Sequence, residues 1–143
     1  MPYRLLPDIA IADVAFETTG RDLSELFGAA AQAFIDLSAD PNTIKPDQER
    51  SITLSERTPD RLLFNFLEEL VYLKDADFVV FADCTVTVKA DAGEYSLTAT
   101  LKCAGINPET QELKMDVKAV TQHMFSVEQL PDKRWKAIVV LDI

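Results

Sequence analysis

From Phe78 to the last residue the chain reads as strand following strand, and helical periodicity is confined to the first half. That order, helices first and then a run of antiparallel strands, restricts the fold to the α+β class. Asp22 stands where an N-cap belongs, and Leu23, Leu26, Phe27, Ala30, Phe34 and Leu37 follow at three- and four-residue steps, which predicts an amphipathic helix. A second helix opens with Thr58 as cap and Pro59 at its first position, then runs through Leu62, Leu63, Phe66, Leu67, Leu70 and Val71. Its polar flank carries Glu68 and Glu69. Between them, residues 51–55 alternate polar and apolar side chains, as a half-buried strand does.

Beyond Phe78, residues 85–90 and 95–104 flank Asp91-Ala92-Gly93-Glu94, whose glycine can supply a positive φ, so the pair reads as a hairpin. A second hairpin has arms 117–128 and 135–142, joined through residues 130–134. Its closing arm is apolar on both faces, which predicts a central strand. Residues 40–50, with Pro41, Asn42 and Pro46, read as a loop. The expectation is one α+β domain over residues 1–143, with two helices packed on a single, largely antiparallel or mixed sheet.

The chain has 143 residues, of which 48% are apolar, enough for one core. Fourteen basic against twenty-four acidic side chains leave a charge of −10. A basic nucleic-acid-binding surface is thereby excluded as the default, and no direct nucleic-acid binding is expected. Residues 9–16 are apolar but broken by Asp13 and preceded by Pro7 and Asp8, so they fail as a signal-peptide core or a membrane span. No membrane partner is expected. Cys84 and Cys103 form neither a CxxC nor a metal-knuckle pattern and read as small core hydrophobes in a reducing, cytoplasmic setting. There is no Walker loop and no GxGxxG.

Two acids stand where their neighbours ought to reject them. Asp13 lies inside IADVAF, with no lysine or arginine between Arg4 and Arg21. Asp142 ends the apolar run AIVVL, shares a face with Ile138 and Val140, and is followed only by Ile143. An unpaired buried carboxylate costs several kcal/mol, so it must protonate, find a donor or hold a cation. Two such charges about 4 Å apart repel by roughly 4 kcal/mol at an effective dielectric near 20, and a divalent ion between them reverses the sign. Oxygen ligands select hard metals, so Ca²⁺ or Mg²⁺ is the occupant expected if Asp13 and Asp142 converge. The simpler alternative makes Asp13 a turn cap and Asp142 a solvated end.

His123 is the sole histidine, which excludes an imidazole-rich zinc site. It reads as a structural side chain on the odd face of its strand, with Thr121 and Phe125, and stands with Lys118 as a secondary, partner-contacting candidate. Lys118 reads as a solvated edge lysine, with contact to a phosphate or carboxylate as the competing role. Trp135, at a strand entrance, reads as a packing residue.

Taken in order, Ala12-Asp13-Val14, the segment from Asp22 to Phe27 with Ala29-Ala30, LEELVYL from Leu67, KAVT from Lys118 with His123, and Trp135 leading to the terminal Leu141-Asp142-Ile143 resemble the archease family. The resemblance spans nearly the whole chain. It implies a small α+β protein that is not itself an enzyme and serves as accessory activator of an RtcB-type RNA ligase in tRNA splicing and RNA repair. The ligase histidine is guanylylated from GTP with metal ions, and the activator speeds that step and permits repeated turnover. The resemblance also implies a metal held by Asp13, Asp142 and a carbonyl of Ile143. The family's histidine and threonine before Ala12-Asp13 are Ala10 and Ile11 here, and its tyrosine before His123 is Gln122. A Gly-Glu pair of the family corresponds to Cys103-Ala104, and a histidine further along to Gln111. Two readings compete with the activator: a metal-dependent phosphohydrolase on the same aspartates, and a metal-free, chaperone-like interaction module.

Overall fold

The computed structural model describes residues 3–6 and 13–143. Among these residues seven strands and two α-helices appear in the order β1 (Tyr3–Leu5), β2 (Asp13–Gly20), α1 (Leu23–Ser38), β3 (Gln48–Glu56), α2 (Pro59–Asp77), β4 (Val79–Asp91), β5 (Glu94–Gly105), β6 (Ala119–Gln129) and β7 (Trp135–Asp142). The α+β class expected from the sequence is the one observed, but the strands make two sheets rather than one. The first has the order β1-β2-β7-β6 and the second β3-β5-β4, and every pairing among the described strands is antiparallel. Alternating polarity announces each strand and its buried face, whereas the choice of hydrogen-bonding neighbour leaves no trace in a single strand's pattern.

The helices join the sheets. α1 packs on β2 and β7 of the first sheet and on β4 of the second, while α2 packs on β6 of the first and on β3, β4 and β5 of the second. Phe16 from β2, Phe27 and Phe34 from α1 and Phe66 from α2 are fully buried where these layers meet. Phe27 and Phe66 stack across the two helices at a centroid distance of 6.3 Å, and Phe34 meets Phe81 of β4 at 6.4 Å. Each buried aromatic removes a large apolar area from water, so this cluster supplies much of the driving force for packing.

The local signals set most boundaries. The Asp22 carboxylate accepts the Glu25 N–H at 2.8 Å, capping α1 as its position predicts. Pro59 opens α2, although the Thr58 hydroxyl makes no capping bond. The stretch 40–50 is less of a loop than expected: a 3-10 turn covers Pro41–Thr43 and β3 already begins at Gln48. β7 lies between β2 and β6, the interior position its two apolar faces predict. Cys103 is buried and Cys84 partly so, both as free thiols. Burial first, then the charge of Asp83, pushes the Cys84 thiol up to about 12, which leaves it unreactive at neutral pH. Trp135 packs against the core. Among the described residues no helix is long and apolar enough to cross a membrane.

Two turns need special backbone. A Cβ on Gly20 would stand 2.5 Å from the Leu26 nitrogen, so only glycine lets the end of β2 come this close to α1. In the β4–β5 turn both Ala92, at φ 51°, and Gly93, at φ 78°, are left-handed, which is the pattern of a type I′ hairpin. Alanine carries a steric penalty there that asparagine carries less. Ala92→Asn is therefore expected to stabilise the protein by about 1 kcal/mol, and Gly20→Ala to destabilise it by about 1–3 kcal/mol. Denaturant titration of both variants checks this; equal midpoints for the two would contradict the assignment of strain to these turns.

Candidate metal centre

β2 and β7 run antiparallel in a register of eight residue pairs that begins with Asp13 opposite Asp142 and ends with Gly20 opposite Trp135. Directly opposed residues on antiparallel strands point to the same face, with Cβ atoms about 4.5–5.5 Å apart. The two acids singled out from opposite ends of the sequence therefore face each other. β6 closes the row from the other side, with Ala119 opposite Asp142. The Lys118 N–H donates to the Asp142 carbonyl at 2.8 Å, so Asp142 is bracketed by strands on both sides.

The face on which the pair sits follows from the alternation. Val14, Phe16 and Thr18 of β2 point toward the helices, and Asp13, Ala15 and Glu17 point the other way. The row beside the acids consists of Ala15, Val140 and Thr121, with Ala15 and Val140 buried. The carboxylates thus stand at the end of an apolar strip and are themselves only partly exposed. Among the described residues neither takes part in an ion pair or a side-chain hydrogen bond. The Thr121 hydroxyl, on the same face, is buried with no hydrogen-bond partner among those residues.

This donor set fits a hard cation. The two facing carboxylates offer the oxygen donors that hard cations take, and Ile143 directly follows Asp142 in the chain. Among the described residues no cluster of three or more His, Cys, Asp or Glu side chains occurs. Ala10 and Ile11, the departures from the family pattern, lie outside the described residues, but neither side chain carries a ligand atom.

The other sequence candidates are placed differently. The Lys118 side chain is exposed, and only its backbone touches the site, through the bond to Asp142. The expectation that His123 is a structural side chain on the face of Thr121 and Phe125 is corrected: it is exposed, inside a bulge that breaks the β6–β7 register between Thr121 and Ser126. Residues 122–125 oppose Val139 alone, so strict alternation stops at Thr121. Met124 within this bulge is left-handed, at φ 56°. Phe125 turns onto Phe64 of α2, edge to face at 5.3 Å, and Gln122 is exposed. Gln111 bridges its own loop, donating to the Gly105 carbonyl at 3.0 Å and accepting the Asn107 N–H at 2.8 Å.

Sequence reasoning passed over Lys74. It is 7% exposed, and its ammonium donates to Asp75 at 2.7 Å and Asp116 at 2.8 Å. Burial works against its charge, but the two carboxylates outweigh burial and its pKa is raised. The signal was present: Lys74 continues the buried spacing of Leu67, Leu70 and Val71, so it lies on the apolar face of α2.

With chelator present, Asp142→Asn removes one of two facing charges. Partial exposure discounts their repulsion to about 1 kcal/mol, so the melting temperature is expected to rise by about 3 °C. Calorimetry showing a fall would mean that the carboxylates do not confront each other.

Comparison with known proteins shows the family and the fold. A model of the Archease protein family (MTH1598/TM1083) matches residues 3–143. An archease from Thermococcus kodakarensis is 36% identical over 132 residues, covering 92% of this chain and 93% of its own. The archease of Archaeoglobus fulgidus is 36% identical over 143 residues, the full length of both chains. The solution structure of Methanobacterium thermoautotrophicum protein 1598 superposes with a TM-score of 0.80 at 30% identity, over 99% of this chain and 98% of that one. On the family match and these relatives, each matched over more than nine-tenths of its length, the chain belongs to the archease family.

Proposed function

We propose that this protein is an accessory activator of an RtcB-type RNA ligase, promoting guanylylation of the ligase and its repeated turnover in tRNA splicing and RNA repair, with a divalent cation held by Asp13, Asp142 and Ile143. The observation that carries the reading is the register that sets Asp13 opposite Asp142. Membership of the archease family supports it, since a metal at these aspartates is what the resemblance implies.

The chain's own part is to hold oxygen ligands in a fixed place. Asp142 lies on a strand hydrogen-bonded on both flanks, and Asp13 lies on the strand that pairs with it, so neither ligand needs to be ordered when a cation or a nucleotide arrives. When bound, Ca²⁺ or Mg²⁺ supplies positive charge able to offset the charge that builds on GTP phosphates during transfer to the ligase. The chain's net charge of −10 draws it to a basic partner and away from RNA. A hydrolase built on the same pair would need a positioned base and phosphate clamps. Among the described residues no third acid, histidine or cysteine joins the pair.

Two measurements test the proposal. Calorimetric titration with Ca²⁺ or Mg²⁺ is expected to show one site that Asp142→Asn and Asp13→Ala weaken by at least the roughly 10–100-fold that losing an outer-shell partner costs a metal. Titration heats identical in wild type and Asp142→Asn count against the site. Separately, the protein is mixed at substoichiometric ratio with the ligase of its own genome and GTP, and ligase-GMP is followed. Acceleration that disappears in Asp142→Asn is expected, and no acceleration by wild type sinks the activator reading.

A further inference from the structure

Among the described residues seven large apolar side chains are exposed, and four of them, Phe78, Ile106, Leu113 and Met115, line one groove of about 600 Å³. That concentration separates this patch from the scattered apolar residues of an ordinary surface. Its floor holds Lys74, clamped between Asp75 and Asp116.

Phe78 makes the patch unusual. It is 71% exposed and ends α2 in the left-handed region, at φ 53°. Glycine or asparagine is favoured at such a position, and a bulky side chain there is strained. Stability alone does not account for an aromatic ring held in water on a strained backbone. The Phe78 carbonyl accepts the Ile106 N–H at 2.9 Å, which fixes the two apolar side chains as neighbours.

The opposite wall is equally fixed. The Asp40 N–H donates to the Glu112 carbonyl at 2.8 Å, and the N–H groups of Lys114 and Met115 donate to the carbonyls of Ser38 and Leu37, each at 2.9 Å. The segment carrying Leu113 and Met115 is thus tied to the end of α1, and a partner entering the groove has little to order.

We propose that this groove is the docking site for an extended segment of a basic partner protein, one that places a bulky apolar side chain on Phe78 and Met115 and an adjoining arginine or lysine on Asp75 and Asp116. The inference rests on the activator reading only in taking the basic partner to be the ligase. Charge decides the occupant. Among the described lining residues Lys74 and Lys114 balance Asp75 and Asp116 in number, but the Lys74 side chain is only 8% exposed whereas those of Asp75 and Asp116 are 59% and 74% exposed, so beside Lys114 an entering partner meets both carboxylates. Against a chain of charge −10, a second copy is disfavoured and a basic protein is favoured. Position agrees: Asp116 lies three residues before Ala119, the register partner of Asp142. At about 3.3 Å per residue, Asp116 lies within roughly 10 Å of Ala119, the strand neighbour of Asp142.

The test uses the purified ligase of the same genome as probe, with binding read by interferometry at low and high salt. The variants are Phe78→Asn, which suits the left-handed backbone and so keeps the fold, Met115→Ser, Asp142→Asn, and Thr98→Ala on the exposed face of β5 as control. Phe78→Asn is expected to weaken docking by roughly 30-fold, as loss of an aromatic anchor does, and to regain full acceleration when its concentration is raised. Asp142→Asn is expected to dock and fail to accelerate, and Thr98→Ala to match wild type in both. Wild-type docking that Phe78→Asn and Met115→Ser leave intact overturns the groove and spares the activator reading. A wild type that neither docks nor accelerates overturns both. A wild-type dimer by sedimentation that Phe78→Asn converts to monomer overturns the basic partner in favour of a second copy.

Discussion

The pairing of β2 with β7 is the constraint from which the rest follows. These strands come from opposite ends of the chain, yet they share eight residue pairs. Because side chains alternate with a period of two, one residue of slip would send Phe16 outward and Asp13 inward. Burial of Phe16, Val139 and Leu141 against the helices therefore fixes the register, and the register fixes which carboxylates meet. The apolar contacts that stabilise the fold are what hold two like charges together.

The helices extend that constraint through the molecule. α1 leaves β2 through Gly20, where no side chain fits, and crosses to β4 of the second sheet. α2 lies across the other ends and meets α1 through the Phe27–Phe66 stack. Tyr3 adds a polar tie: its hydroxyl donates to Asp36 at 2.7 Å, linking β1 to α1. Burial, then the hydrogen bond and charge of Asp36, pushes its pKa up to about 12, so the tie persists across the physiological range. At the far end of α2, Lys74 performs a related task, binding the helix to the segment that leads into β6 through Asp116. The segment before β6 thus connects the groove at the helix ends to the strand that flanks Asp142.

Much of this was legible in one dimension, and the parts that were not share a cause. Asp22 and Pro59 mark their helix starts because capping and a missing N–H act within a few residues. The interior position of β7 was visible because both its faces are apolar. Asp13 and Asp142 stood out because each interrupts an apolar run with no cation nearby. His123 was misplaced because a bulge changes the count of residues between two strands, and the partner strand that defines that count lies elsewhere in the chain. Lys74 was passed over because a lysine on a buried helix face is tolerable only with partners, and Asp116 is 42 residues away.

By itself, then, the sequence determined the α+β class, most element boundaries, the acidic surface and the identity of two unusual aspartates, since each of these depends on neighbours within one turn or one strand. Tertiary structure alone decided that the described strands divide into two sheets, that the two aspartates meet, and that Phe78 joins Ile106 and Met115 around Lys74. Those outcomes depend on which distant segments hydrogen-bond and pack, and that choice is made by the closure of the whole core.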